Sequence, residues 1–153
     1  MTSNQTIEEL DPAECWRLLA TQTVGRVAVS DGSAAHIWPV NFRVRGEQIL
    51  FRTDRGGKAV DISAHPDVAF EVDGFDSGLY WSVVVNGTAE LRASDEPGIH
   101  DGRTELVTQN PGVKRYFVFI AGTVTGRRFA SAVERSSIWS SASSRRAAPT
   151  QLV

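Results

Sequence analysis

The stretch 25–53, GRVAVSDGSAAHIWPVNFRVRGEQILFRT, decides the fold class. Val27 and Val29 alternate with Arg26 and Ala28, and after the turn signal Asp31-Gly32 the same period returns. There Trp38, Val40, Phe42 and Val44 alternate with Ile37, Pro39, Asn41 and Arg43. A period of two places one set of side chains on a buried face and the other on the opposite face of a strand. Arg45-Gly46-Glu47 makes a second turn, and Ile49 to Thr53 reads as a third strand, ended by the loop Asp54-Arg55-Gly56-Gly57. Strands joined by connections this short pair antiparallel.

Upstream of this stretch the period is helical. Asp11, Pro12 and Glu14 stand where an N-cap, a first helical residue and an early acid belong, and Cys15, Leu18, Leu19 and Trp16 form one apolar stripe of a helix reaching about Gln22. Residues 1–10 are polar and without period, so a mobile arm is expected. Downstream, Lys58 to His65 has helical spacing and Pro66 stops it. Val68, Phe70 and Val72 then mark a fourth strand. Leu79 to Leu91 marks a fifth, with Gly87 as a bulge or a close approach, and Tyr116 to Phe129 a sixth, which Gly122 can bend. A short helix is expected at 102–108 and a disordered, Ser-rich tail at 140–153.

Residues 11–139 therefore read as one mainly β domain: six strands and two small helices in a closed or nearly closed antiparallel barrel, with a helix plugging an end or flank. The alternating sets Val68, Phe70, Val72 and Trp81, Val83, Val85 offer more apolar surface than one core easily covers, so a twofold homodimer is expected to bury the remainder.

Composition narrows the function. The 153 residues suit a single domain that needs no disulfide or metal as a staple, and one cysteine, Cys15, cannot form an internal disulfide. A reducing cytoplasm is the expected compartment. Sixteen Lys plus Arg against eighteen Asp plus Glu give a net charge of −2, which lacks the basic excess of a nucleic-acid binder. The start, MTSNQTIEELDPAE, has neither a basic nor an apolar leader segment, and no run approaches membrane-spanning length, so neither export nor membrane insertion is expected. The signatures G-x-G-x-x-G, G-x-x-x-x-G-K-[ST], G-x-S-x-G and H-E-x-x-H are missing, and His36, His65 and His100 are too scattered to suggest a metal site.

What remains is Phe51-Arg52-Thr53-x-x-Gly56-Gly57-Lys58. A strand end places Arg52 and Thr53 beside a glycine loop, and the helix that opens near Lys58 has free N–H groups. Arginine supplies a planar fork, threonine a hydroxyl, lysine a point charge, and the glycines let a backbone approach closely; together they suit a phosphate. Read alone, the same residues also fit a solvated turn carrying two surface cations.

The ordered set Gly25-Arg26-Val27-Ala28-Val29, Pro39-Val40-Asn41-Phe42, Phe51-Arg52-Thr53 with Gly57-Lys58, Val68 to Asp73, Trp81-Ser82-Val83-Val84-Val85-x-Gly87 and Thr125-Gly126-Arg127-Arg128 resembles the pyridoxamine 5'-phosphate oxidase-like family over about residues 11–130. The resemblance implies a six-stranded split β-barrel of the FMN-binding type, paired as a homodimer with flavin sites at the interface. It implies that Arg52, Thr53 and Lys58 hold the flavin phosphate beside Gly57, and that Pro39, Val40 and Asn41 back the isoalloxazine ring. Trp81 and Ser82 are implied to approach the site, often from the partner subunit, and Arg127 is favoured over Arg128 as a further cofactor contact. Two departures stand out. The end after Phe129 has no counterpart of the oxidase's residues for pyridoxal phosphate, which argues against vitamin B6 oxidation, and Gly57 stands where the family usually has Ser. The expected activity is thus FMN-dependent redox chemistry on a small conjugated substrate. The rivals are a reductase using the 8-hydroxy-5-deazaflavin coenzyme and a non-catalytic flavin- or haem-binding protein.

Overall fold

Six of the strands close into a ring. The computed structural model describes residues 7–54, 56–93 and 115–130. Its elements run β1 (Ile7–Leu10), α1 (Pro12–Leu19), β2 (Val24–Ser30), β3 (Ala35–Val44), β4 (Ile49–Asp54), α2 (Gly57–Ala64), β5 (Asp67–Asp76), β6 (Leu79–Ala93) and β7 (Arg115–Ala130). Every pairing is antiparallel, in the order β7-β4-β3-β2-β5-β6 and back to β7. The barrel expected from the period-two segments is what forms.

Strand β7 carries the closure. On one edge it meets β6 in an unbroken register from Leu79↔Ala130 to Ala93↔Tyr116. Its other edge is shared, with Arg115–Ile120 paired to β4 and Gly126–Phe129 paired to β1. Midway along the β6–β7 ladder, Gly87 faces Gly122. A Cβ at Gly87 would stand 2.1 Å from the Ala121 carbonyl oxygen, and one at Gly122 equally close to that of Asn86. The pair is therefore a close approach of two backbones, with neither bulge nor break in register.

Strand β1 corrects the last four residues of the expected arm; residues 1–6 lie outside the described residues. Residues 7–10 pair with β7 from Ile7↔Phe129 to Leu10↔Gly126, adding a seventh strand beside the ring. The tetrapeptide Ile-Glu-Glu-Leu shows no alternation, and its partner lies at the far end of the chain, so no local pattern betrays it. The helix expected at 102–108 and the tail at 140–153 lie outside the described residues.

Alternation sorts the side chains. Val27, Val29, Phe42, Phe51, Val118 and Ile120 turn inward and are buried. So are Val68, Phe70, Val72, Trp81, Val83 and Val85, none more than 6% exposed. These last two sets thus fill the barrel, and the surplus apolar surface expected of them does not exist. Burial of each such side chain contributes roughly 1.5–3 kcal/mol. Exposed apolar surface sits elsewhere, in a row across the outer face where Phe75, Tyr80, Phe129 and Ile7 are successive cross-strand partners. Phe75 and Ile7 are 61% and 56% exposed, and the Tyr80 ring packs 4.8 Å from that of Phe75 and 6.0 Å from that of Phe129.

The two helices pack against the barrel. Helix α1 buries Cys15, Leu18 and Leu19 against β6 and β7. It stops at Leu19, short of Gln22, because the N–H groups of Thr21 and Gln22 bond Leu18 and Leu19, tightening the last turn, and the Thr21 hydroxyl donates to the Leu18 carbonyl at 2.7 Å. Helix α2 buries Ala59 and Ile62 and spans from β4 to β5.

Candidate functional site

The β3–β4 ladder is short. It runs from Val44↔Ile49 to Phe42↔Phe51 and ends there. Beyond it β3 stays with β2, while Arg52, Thr53 and Asp54 stay with β7. The barrel wall is split along this seam, and α2 begins beside it.

The seam edge of β3 has defined chemistry. The Phe42 N–H donates to the Thr23 carbonyl on the β2 side at 2.9 Å. Alternation therefore turns the N–H of Asn41 and the carbonyls of Asn41 and Pro39 toward the seam, while Val40 bonds toward β2. Pro39 has no N–H to lose there, which suits a proline to an unpaired edge. The side chains of Pro39 and Asn41 are exposed on the outer face, and that of Val40 is buried.

Across the seam stand the cationic residues. Arg52 faces outward with its guanidinium 5.6 Å from the centre of the Phe117 ring. Thr53 turns inward, 8% exposed, and its hydroxyl donates to the Asp54 carbonyl at 3.3 Å. Gly56 is the N-cap of α2 in extended conformation and gives no side-chain hydrogen bond to the helix. Among the described residues, a Cβ at Gly56 or Gly57 would meet nothing within 4 Å, so these residues leave the space before the helix open. Lys58 lies in the first turn, half-buried; burial pushes its ammonium below the usual lysine range, against the opposing pull of the Asp54 carboxylate. The structure thus sets Pro39, Val40 and Asn41 on one edge of the seam, Arg52 and Thr53 on the other, and Gly57 and Lys58 at the start of the helix that follows β4.

It does not bring Trp81, Ser82 and Arg127 there. Trp81 is 2% exposed and packs its indole where a Cβ on Gly74 would fall, making it a core group. Ser82 faces outward opposite Arg127, ten residues along β7 from Phe117, the partner of Arg52. At about 3.3 Å per residue that is roughly 33 Å of strand. Ser82 and Arg127 instead line a groove of about 540 Å³ with Glu9, Val84, Asn86 and Thr125. Sequence reasoning missed Glu9, Asn86 and Thr125; the outward parity of Asn86 and Thr125 was available from the alternation, whereas Glu9 depends on the unrecognised β1.

Other candidates are committed elsewhere. Arg128 turns inward, donates to Glu14 at 2.8 Å and lies 3.8 Å from Glu8. Glu71 and Asp73 both accept from Arg26, the former at 2.8 Å, so they are paired within the chain. His36 stacks on Trp38 and lies 3.6 Å from Asp31. Among the described residues, no three His, Cys, Asp or Glu side chains gather as metal ligands, and no helix is long and apolar enough to cross a membrane.

Known proteins share this architecture. An FAD-binding protein of Mycobacterium smegmatis superposes with a TM-score of 0.65 at 34% identity, covering 80% of this chain and 98% of that one. An FAD-binding protein of Mesorhizobium loti gives a TM-score of 0.72 at 22% identity, over 84% of this chain and all of that one, a likeness of fold. An uncharacterised protein of Mycobacterium tuberculosis is 34% identical over 87 residues, 56% of this chain and 79% of its own length. The family model described as pyridoxamine 5'-phosphate oxidase matches residues 11–116, spanning the seam and both helices. The chain belongs to the pyridoxamine 5'-phosphate oxidase-like family.

Proposed function

We propose that this protein is a flavin-dependent oxidoreductase that binds FMN along the β3–β4 seam and acts on a small, planar, conjugated substrate. The observation that carries the reading is Lys58. A half-buried ammonium in the first turn of a helix opposes the helix dipole and loses hydration, and the turn holds no acid to offset it. A phosphate in the open space before Gly56 and Gly57 would relieve both costs. It would accept from the free N–H groups of α2 and from Lys58, with Arg52 and Thr53 alongside. The 34% identical Mycobacterium smegmatis relative, an FAD-binding protein, supports a flavin as the occupant.

Flavin, when bound, carries the hydride and electrons, so this chain's residues have only to bind, orient and shield. Asn41 N–H, facing the seam, would donate to the polar edge of the ring, and the β3 wall would cover one ring face. Ser82 and Arg127 lie too far along β7 to reach the same ligand within one chain. We therefore place Ser82 and Arg127 of the partner subunit at the seam of a homodimer, with the exposed Phe75-Tyr80-Phe129 row available to the contact.

Titration of wild type and Lys58→Ala with FMN, and with riboflavin as the phosphate-free control, tests the reading. Loss of Lys58 should weaken FMN binding by about 1–3 kcal/mol, roughly 5- to 150-fold, and leave riboflavin nearly unchanged. An equal loss for both ligands means that Lys58 supports the fold. Sedimentation of the loaded protein should give a dimer, and a flavin-loaded monomer rules out the shared site. A violet-blue deazaflavin band or a Soret band in the purified protein assigns the seam to one of the rival cofactors.

A further inference from the structure

Strand β1 brings a carboxylate to the groove on β6 and β7. Glu9 is the register partner of Arg127, which is in turn the partner of Ser82. Its neighbour Leu10 stands opposite Gly126 on the inner face, so Glu9 shares the outer face with Arg127 and Ser82. Directly opposed residues of an antiparallel pair have Cβ atoms about 5 Å apart, close enough for opposite charges to form an ion pair. Here they do not: among the described residues, neither the Glu9 nor the Arg127 side chain makes a hydrogen bond or ion pair. Both instead line the groove of about 540 Å³, a volume within the range of small-ligand sites.

The donor inventory of that groove is uneven. Among its side chains, Arg127 only donates, Ser82, Asn86 and Thr125 can donate or accept, and Glu9 alone only accepts. Val84 adds an apolar patch. A complementary ligand edge carries carbonyl oxygens for Arg127 and an N–H for Glu9. The pyrimidine edge of isoalloxazine has that pattern, with one N–H, at N3, between two carbonyls, and 5-deazaflavin has the same edge.

We propose that Glu9 is a specificity residue of the flavin site, accepting a hydrogen bond from the ring N3–H while Arg127 donates to a neighbouring carbonyl. The assignment rests on the flavin reading above, with the groove reaching the ring across the dimer. It gives β1 a function: the strand delivers an anionic acceptor, which the ring's own groove side chains Ser82, Asn86 and Thr125 are not.

FMN and its N3-methyl derivative, which lacks the N3–H, are titrated into wild type, Glu9→Ala and Glu9→Gln, each as the full chain. Wild type should bind FMN roughly tenfold or more tighter than the methylated flavin, the scale of a hydrogen bond to a charged group. In Glu9→Ala the two affinities should converge, through weaker FMN binding. Glu9→Gln preserves size and a neutral acceptor, so it should keep a reduced preference and guard against a folding artefact. A preference that persists in Glu9→Ala, or is absent from wild type, overturns the role of Glu9 and leaves the flavin reading standing. Failure of wild type to bind either flavin overturns both.

Discussion

Helices α1 and α2 are both eight residues long, and both pack against the barrel. Their ends could hardly differ more. In α1 the Asp11 carboxylate caps the Glu14 N–H at 2.8 Å, Pro12 opens the helix, and Glu14 is bonded by Arg17 and by Arg128 from β7. In α2 the N-cap is glycine, no acid stands in the first turn, and the charge at the dipole's positive end is Lys58. Side-chain capping and an early acid stabilise the start of the first helix, whereas the second has a glycine cap without a side-chain bond and a cation where an acid would be favoured. On the proposed reading, the start of α2 is shaped for a phosphate at the seam, and its weak capping is the cost of that role.

The difference can be tested at three magnitudes. The largest effect should come from Leu18→Ala, which empties a fully packed site in α1 and should cost about 2–5 kcal/mol in denaturant unfolding. Val60→Ala on the exposed face of α2 should stay within about 0.5 kcal/mol. Comparable losses for the two would contradict the burial of Leu18 and the exposure of Val60.

An intermediate effect is expected from acid. Bonds from Arg17 first and Arg128 second hold the Glu14 carboxyl at about 2, below its ordinary 4.5. A carboxyl lowered in the folded state stabilises fully above its unfolded value, and that contribution fades as pH falls through the folded one. The difference in Tm between wild type and Glu14→Gln should therefore be greatest above about pH 4.5 and shrink toward pH 2. A difference that grows on acidification contradicts the pairing.

The smallest effect sharpens the contrast most. Gly56→Asp gives α2 the cap that α1 has, and thermal stability should rise by only a few tenths of a kcal/mol. The same carboxylate would stand where the phosphate is proposed to bind. FMN affinity should drop, by roughly 2- to 5-fold for a charge interacting with a helix end, while riboflavin affinity holds. Tighter FMN binding in this variant would remove the phosphate from the start of α2.

Much of this architecture could be read from the order of residues. Period-two alternation in 25–53, 68–72 and 81–85 revealed five of the six ring strands and their inward sets, because a barrel wall buries one face and exposes the other, and the run from Tyr116 to Phe129 marked the sixth. It also held the orientation of Trp81, which shares parity with Val83 and Val85 and so belongs to the core; the family resemblance alone drew it toward the cofactor. The seam was legible from Arg52 to Lys58, since a strand end, two glycines and a helix start are contiguous in the chain. The separation of Ser82 and Arg127 from Arg52 was not. It depends on where Arg52 and Ser82 fall along β7, a long-range register that no local pattern encodes. Strand β1 was hidden for the same reason, and with it Glu9.

The division of β7 between three partners sets the order in which this molecule can assemble. Residues 24–93 can zip into β2 to β6 by near-neighbour pairing, yet that sheet keeps two bare edges, on β4 and on β6, until the last described strand arrives. Barrel closure and capture of β1 then wait upon the last of these strands to be made, pairing residues far apart in the chain. Contacts of such long range close slowly. A nascent chain paused before residue 115 is therefore the form most exposed to sticking edge to edge with its copies, and chaperone demand should peak there.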